Sequence, residues 1–148
     1  MKKAIMAAAM TAALGGGLFA AEDNGRQPLY ERLGGMPAIR AVVDGLVARI
    51  LDDARVNPWF AHAAADPEHA AVYKAKLADF ICQATGGPCK YEGKDMFSAH
   101  QGRGVTAEAF QAVVEDLVAT LDELRVPEKE KSQLLGLLGP LQAAIVQK

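Results

Sequence analysis

No stretch of the sequence alternates apolar and polar residues for long enough to make a half-buried strand, so sheet architectures are excluded. There is no run of Lys and Arg and no basic stripe to follow a phosphate backbone. With 16 basic against 18 acidic residues the net charge is −2, and nucleic acid is not an expected partner. Cysteine stops at two residues. Together with His100 they make three ligands at spacings unlike those of structural zinc motifs, which argues against a zinc site. Internal repeats and low-complexity runs are absent beyond the alanine-rich first twenty residues.

What is present suits one soluble domain: 148 residues, 51% of them hydrophobic, enough to bury a real core. The opening stretch, "MKKAIMAAAMTAALGGGLFA", stands apart from it. Lys2 and Lys3 precede a short apolar run that ends in small residues, the layout of a secretory signal peptide. A retained anchor is the competing reading, but the run is barely long enough to span and is loosened by Gly15, Gly16 and Gly17. Cleavage after Ala20 or Ala21 is expected, leaving residues 21–148 as a single exported, periplasmic domain without further membrane contact. Losing Lys2 and Lys3 leaves 14 basic against 18 acidic residues, a net charge of −4.

Export sets the reading of "CQATGGPC". In an oxidising compartment Cys82 and Cys89 are expected to pair, because Gly86, Gly87 and Pro88 break the helix carrying Cys82 and let the chain fold back. A loop this small contributes roughly 2 to 3 kcal/mol on the chain-entropy account. Two free thiols are the alternative.

Elsewhere the periodicity is helical. After Pro37, residues Ile39, Val42, Val43, Leu46, Val47, Ile50 and Leu51 draw one stripe on a long helix. A second opens with Asp66 as cap and Pro67 in the first turn, and places Tyr73, Leu77, Phe80, Ile81 and Ala84 on one face. A third opens at Thr106 and carries Phe110, Val113, Val114, Leu117, Leu121 and Leu124. A fourth opens at Pro127 and carries Leu134, Leu138, Leu141 and Ile145. The expected class is all-α.

A plain bundle does not account for the special residues. "LYERLGGMPAI" at 29–39, "NPWF" at 57–60, "GGP" at 86–88 and "HQGRGVT" at 100–106 occur in an order and spacing that resemble the truncated haemoglobins of the first group. The resemblance runs from Leu29 to Val146. It implies a two-over-two helical sandwich around non-covalent haem b, with a short first helix near Pro28 to Leu33 and an irregular segment leading into a proximal histidine. An iron in a porphyrin already has four nitrogen ligands, so such a fold needs one neutral imidazole below it, and the resemblance assigns that role to His100. Gly102 and Gly104 then let the chain turn at the haem edge. His62 and His69 have no such setting and are expected to be solvated. No Cys-x-x-Cys-His occurs that would attach the haem covalently.

The same resemblance makes Phe60 the aromatic packed on the porphyrin, and Met96, Val105, Phe110, Val113 and Leu117 proximal or edge contacts. All of these also suit a haem-free core. Lys74 and Lys76 are rim candidates for pairing with propionates, or plain solvated lysines. The stretch "VVDGLVARI", in which many members of the group carry a distal tyrosine, has none here and offers Leu46. Tyr73, one turn before Leu77 on the inward stripe, is the candidate donor in its place; its hydroxyl pointing to solvent is the alternative.

The function implied is reversible binding of O2 or another diatomic gas such as CO or NO. The runner-up is a periplasmic nitric oxide dioxygenase or weak peroxidase, which needs electrons from a reductase partner. The third reading is a haem-free helical interaction module.

Overall fold

The computed structural model describes residues 27–147, and the expected signal segment, 1–20, lies outside them. Among the described residues every regular element is helical. In chain order they are α1 (Leu29–Leu33), α2 (Gly35–Asp52), α3 (Ala61–Ala65), α4 (Pro67–Ala84), α5 (Met96–His100), α6 (Ala107–Glu123), α7 (Glu128–Leu138) and α8 (Gln142–Ile145). A 3₁₀ turn over Asn57–Phe60 leads into α3, and another over Gly139–Leu141 separates α7 from α8.

The helix starts follow their capping residues. The Asp66 side chain accepts from the Glu68 N–H at the start of α4, with Pro67 behind it, and the Thr106 hydroxyl accepts from the Ala109 N–H at the start of α6. Asp95 does the same for the short α5, accepting from Ser98. The fourth helix departs from expectation. It does not run through to Ile145, because Gly139 and Pro140 interrupt the ladder and the chain re-forms as α8, which lies against α5 instead of prolonging α7.

The core is built on α2. Its stripe of Ile39, Val42, Val43, Leu46, Val47 and Ile50 is buried between α4, which contributes Ala78, Ile81 and Cys82, and α6, which contributes Ala112, Leu117 and Leu121; Leu134 of α7 completes it. Gly45 faces α6 so closely that a Cβ there would lie 2.8 Å from Thr120 Cγ2. The glycine is therefore the price of a tight α2–α6 crossing. Arg32 of α1 and Glu130 of α7, both buried, pair at 3.1 Å and close the far end.

The α2–α4 pair thus lies across the pair formed by α6 and α7, a two-over-two sandwich. Its contacts are unevenly spread. The helical neighbours of α4 are α2 and α3, whereas α5 rests on α8 and α8 on α6. Among the described residues α4 barely touches α5, α6 or α8.

Candidate functional site

The residues that the sequence singles out fall on two walls, one set by α4 and the 3₁₀ turn before α3, the other by α5 and the chain that follows it. Tyr73 and Leu77 are half-buried on α4 and pack against the core margin, as does Phe80. Phe60, at the end of the 3₁₀ turn, sets its ring edge-on against Tyr73, with centroids 5.2 Å apart. Leu46 and Val47, beneath them on α2, are buried and apolar, so this stretch of α2 offers no hydroxyl. Burial, with a smaller contribution from nearby Tyr91, pushes the Tyr73 phenol up to about 12. It therefore keeps its proton at any physiological pH. Among the described residues that hydroxyl has no hydrogen-bond partner, and it is not among the fully buried unpartnered atoms, so it keeps some access to solvent.

The opposite wall is led by His100, the last residue of α5 and half-buried. Its Nδ1 lies 2.6 Å from the Met96 carbonyl oxygen one turn back. A carbonyl can only accept, so Nδ1 carries the hydrogen, and in the neutral imidazole Nε2 then carries the lone pair. No described residue bonds Nε2. This is how a metal-binding imidazole is prepared: one nitrogen tied to the backbone, fixing tautomer and ring plane, the other presented as a ligand. Past His100 the chain turns through Gly102 (φ 77°) and Gly104 (φ 66°), a left-handed conformation that glycine adopts without strain. Val105 is buried, and its carbonyl accepts from the Gln147 N–H at 2.9 Å. Phe110 and Val113 are half-buried on α6.

Other candidates are placed differently. Leu117 is buried in the α2–α6 core. Lys76 is exposed on α4. Lys74 is held 3.3 Å from Asp44 of α2, an ion pair that turns it away from a purely solvated role. His62 and His69 are exposed, as expected, and His69 pairs with its own helix cap Asp66 at 3.0 Å.

The segment from α4 to α5 is strapped down at its start. Cys82, fully buried, is disulfide-bonded to Cys89 as expected, with Cα atoms 5.7 Å apart. The Tyr91 N–H donates to Gln83 Oε1 at 2.7 Å, and the Tyr91 ring meets Phe80 edge-on at 5.2 Å. The contributions of Phe80, Tyr91 and Trp59 were not legible as site features from spacing alone. The one available signal was the pairing of the sole tryptophan with Phe60 in "NPWF".

The comparisons agree with one another. Residues 28–147 match the bacterial-like globin family. A group 1 truncated haemoglobin of Synechocystis is 37% identical over 115 residues, covering 75% of this chain and 89% of that protein. The ferric crystal structure of the truncated haemoglobin from Tetrahymena pyriformis superposes with a TM-score of 0.73 at 32% identity, over 82% of this chain and all of that one. The 2/2 haemoglobin of a Synechococcus, solved in the cyanomet state with covalently attached haem, gives a TM-score of 0.71 at 34% identity, covering 80% and 95%.

Proposed function

The chain belongs to the bacterial-like globin family, among the group 1 truncated haemoglobins, whose cofactor is haem; from that membership we propose that it binds O2 or another diatomic gas reversibly, with His100 as the proximal ligand. The observation that carries the assignment is the state of His100, with Nδ1–H donated to Met96 and Nε2 free. The residues fit the cofactor on two further counts. Few direct contacts join α4 to α5, α6 or α8, and half-buried apolar groups that a flat porphyrin would cover lie on these walls, Phe60, Leu77 and Val113 among them.

Haem supplies an iron with one position for the protein and one for a gas ligand. The protein's part is to hold and orient. Phe60 would pack against the ring, Met96, Val105, Phe110 and Val113 would hold its proximal side and edge, and Leu77 would bound the distal side. Tyr73 offers a neutral O–H on the distal wall, and Lys76 is placed at the rim for a propionate. The Cys82–Cys89 disulfide supports an oxidising, periplasmic location, in keeping with a signal segment at residues 1–20.

Absorption spectra of the ferric, ferrous and CO-bound protein test this reading. A Soret band from one haem per chain is expected, and His100→Ala should weaken haem retention by about tenfold or more. A chain that takes up no haem overturns the proposal, and so does a His100→Ala variant with wild-type ferrous and CO spectra in the absence of imidazole.

A further inference from the structure

Trp59 is the only tryptophan of the chain. Its indole Nε1–H donates to the Arg103 carbonyl at 2.9 Å, joining segments 44 residues apart. The Arg103 N–H in turn donates to the His100 carbonyl at 3.1 Å, so the acceptor belongs to the turn that closes α5. On the other side Trp59 directly precedes Phe60, which is seated against Tyr73. One hydrogen bond therefore links the wall bearing Phe60 to the backbone that follows His100.

The two partners differ in how firmly they are held. A Cβ added at Gly102 or Gly104 would meet no atom within 4 Å, so this turn has little packing of its own. The tryptophan's segment is fixed at several points. Asn57 Nδ2 donates to the Leu51 carbonyl at 3.1 Å, the Trp59 N–H to Val56 at 3.2 Å, and Arg55 bridges Asp53 to Glu115 of α6. The loosely packed turn hangs from the well-held segment. An indole suits the task, being a rigid donor with only two side-chain torsions to immobilise.

We propose that Trp59 is a positioning residue for the proximal histidine: its N–H clasps the turn after His100 and sets how the imidazole is presented to haem. The inference rests on the haem reading above. The bond is exposed, so its loss leaves the Arg103 carbonyl to water, and the fold itself loses little. The alignment of His100 is what suffers.

The test uses the full haem-loaded protein and the variants Trp59→Phe and Trp59→Ala. Trp59→Phe, which keeps a ring but no N–H, is expected to shift or broaden the ferrous iron–histidine stretching band and to speed haem transfer to excess apoglobin several-fold. Trp59→Ala should do both to a greater degree. A Trp59→Phe variant with the wild-type band and transfer rate overturns the proposal, whatever Trp59→Ala does. Because there is one indole, its N–H resonance in the wild-type holoprotein gives an answer without any variant: protection from solvent exchange is expected, and free exchange refutes the clasp. A wild-type protein with no iron–histidine band, by contrast, would defeat the haem assignment itself.

Discussion

At the level of single residues the unusual feature is the distal wall. Leu46 and Val47 give α2 an aliphatic face, so on the proposed reading a bound gas would find its hydrogen-bond donor on α4 or not at all. Tyr73, neutral and with an unused hydroxyl, is the proposed donor, whereas Lys76 is exposed and would have to lose its proton before it could bind iron. A hydrogen bond in such an enclosure is worth about 1 to 3 kcal/mol. Tyr73→Phe should therefore speed O2 dissociation at least several-fold by flow-flash or stopped-flow measurement. Lys76→Ala should leave the ferric spectrum nearly unchanged. A conversion from low to high spin on losing Lys76, with no effect of Tyr73→Phe, would place the lysine on the iron and refute the tyrosine.

Among the elements, the caps and stripes were written plainly in the sequence. Asp66-Pro67 and Thr106 begin helices where they should, and the α2 stripe is buried from Ile39 to Ile50, with Leu51 half-buried, while Ala84 on α4 and Leu124 at the end of α6 are exposed. The fourth helix was misjudged for a physical reason. Leu134, Leu138, Leu141 and Ile145 keep helical spacing across Gly139 and Pro140, so periodicity continues although the backbone ladder does not. His100 stands out only through the resemblance carried by "HQGRGVT", and its bond to Met96 is local, whereas contacts with distant backbone are illegible in the sequence. Nothing near Trp59 in the sequence names Arg103 as its partner. The Cys82–Cys89 strap is an element-scale device, fixing the end of α4 to the segment that leads toward α5. Reducing it, or replacing Cys89 by Ser, should cost about 2 kcal/mol in urea-unfolding stability. Identical midpoints for the oxidised and reduced forms would show that α4 holds this segment unaided.

For the whole molecule, pH enters through a carboxyl pair at the α2–α6 junction. Hydrogen-bonded by Arg55, Asp53 is held down to about 2, while burial and the adjoining Asp53 push Asp116 up to about 6. Asp116 Oδ2 is buried without a partner among the described residues, and Arg49, Asp52, Arg55 and Glu115 are other charged residues nearby. An acid whose folded pKa is raised binds its proton more tightly in the folded state, so stability falls as pH rises from about 4 through about 6. Asp116→Asn should remove that loss and raise Tm by about a few degrees at pH 7.5, with little change at pH 4. A variant that melts below wild type at pH 7.5 would show that the ionised carboxylate stabilises the junction.

The support of α5 by α8, and of Val105 by Gln147, also fixes an order of events during biosynthesis. His100 emerges from the ribosome, or from a translocation channel, well before the segment it leans on, with all of α6 and α7 still to come. Until Gln142–Ile145 arrives, the histidine's short helix, too brief to persist alone, lacks its main helical support and has only the Trp59 bond to the turn behind it. Cofactor capture is therefore expected to be a late step, favoured in a chain already complete through α8. An exported chain would meet its haem on the far side of the membrane.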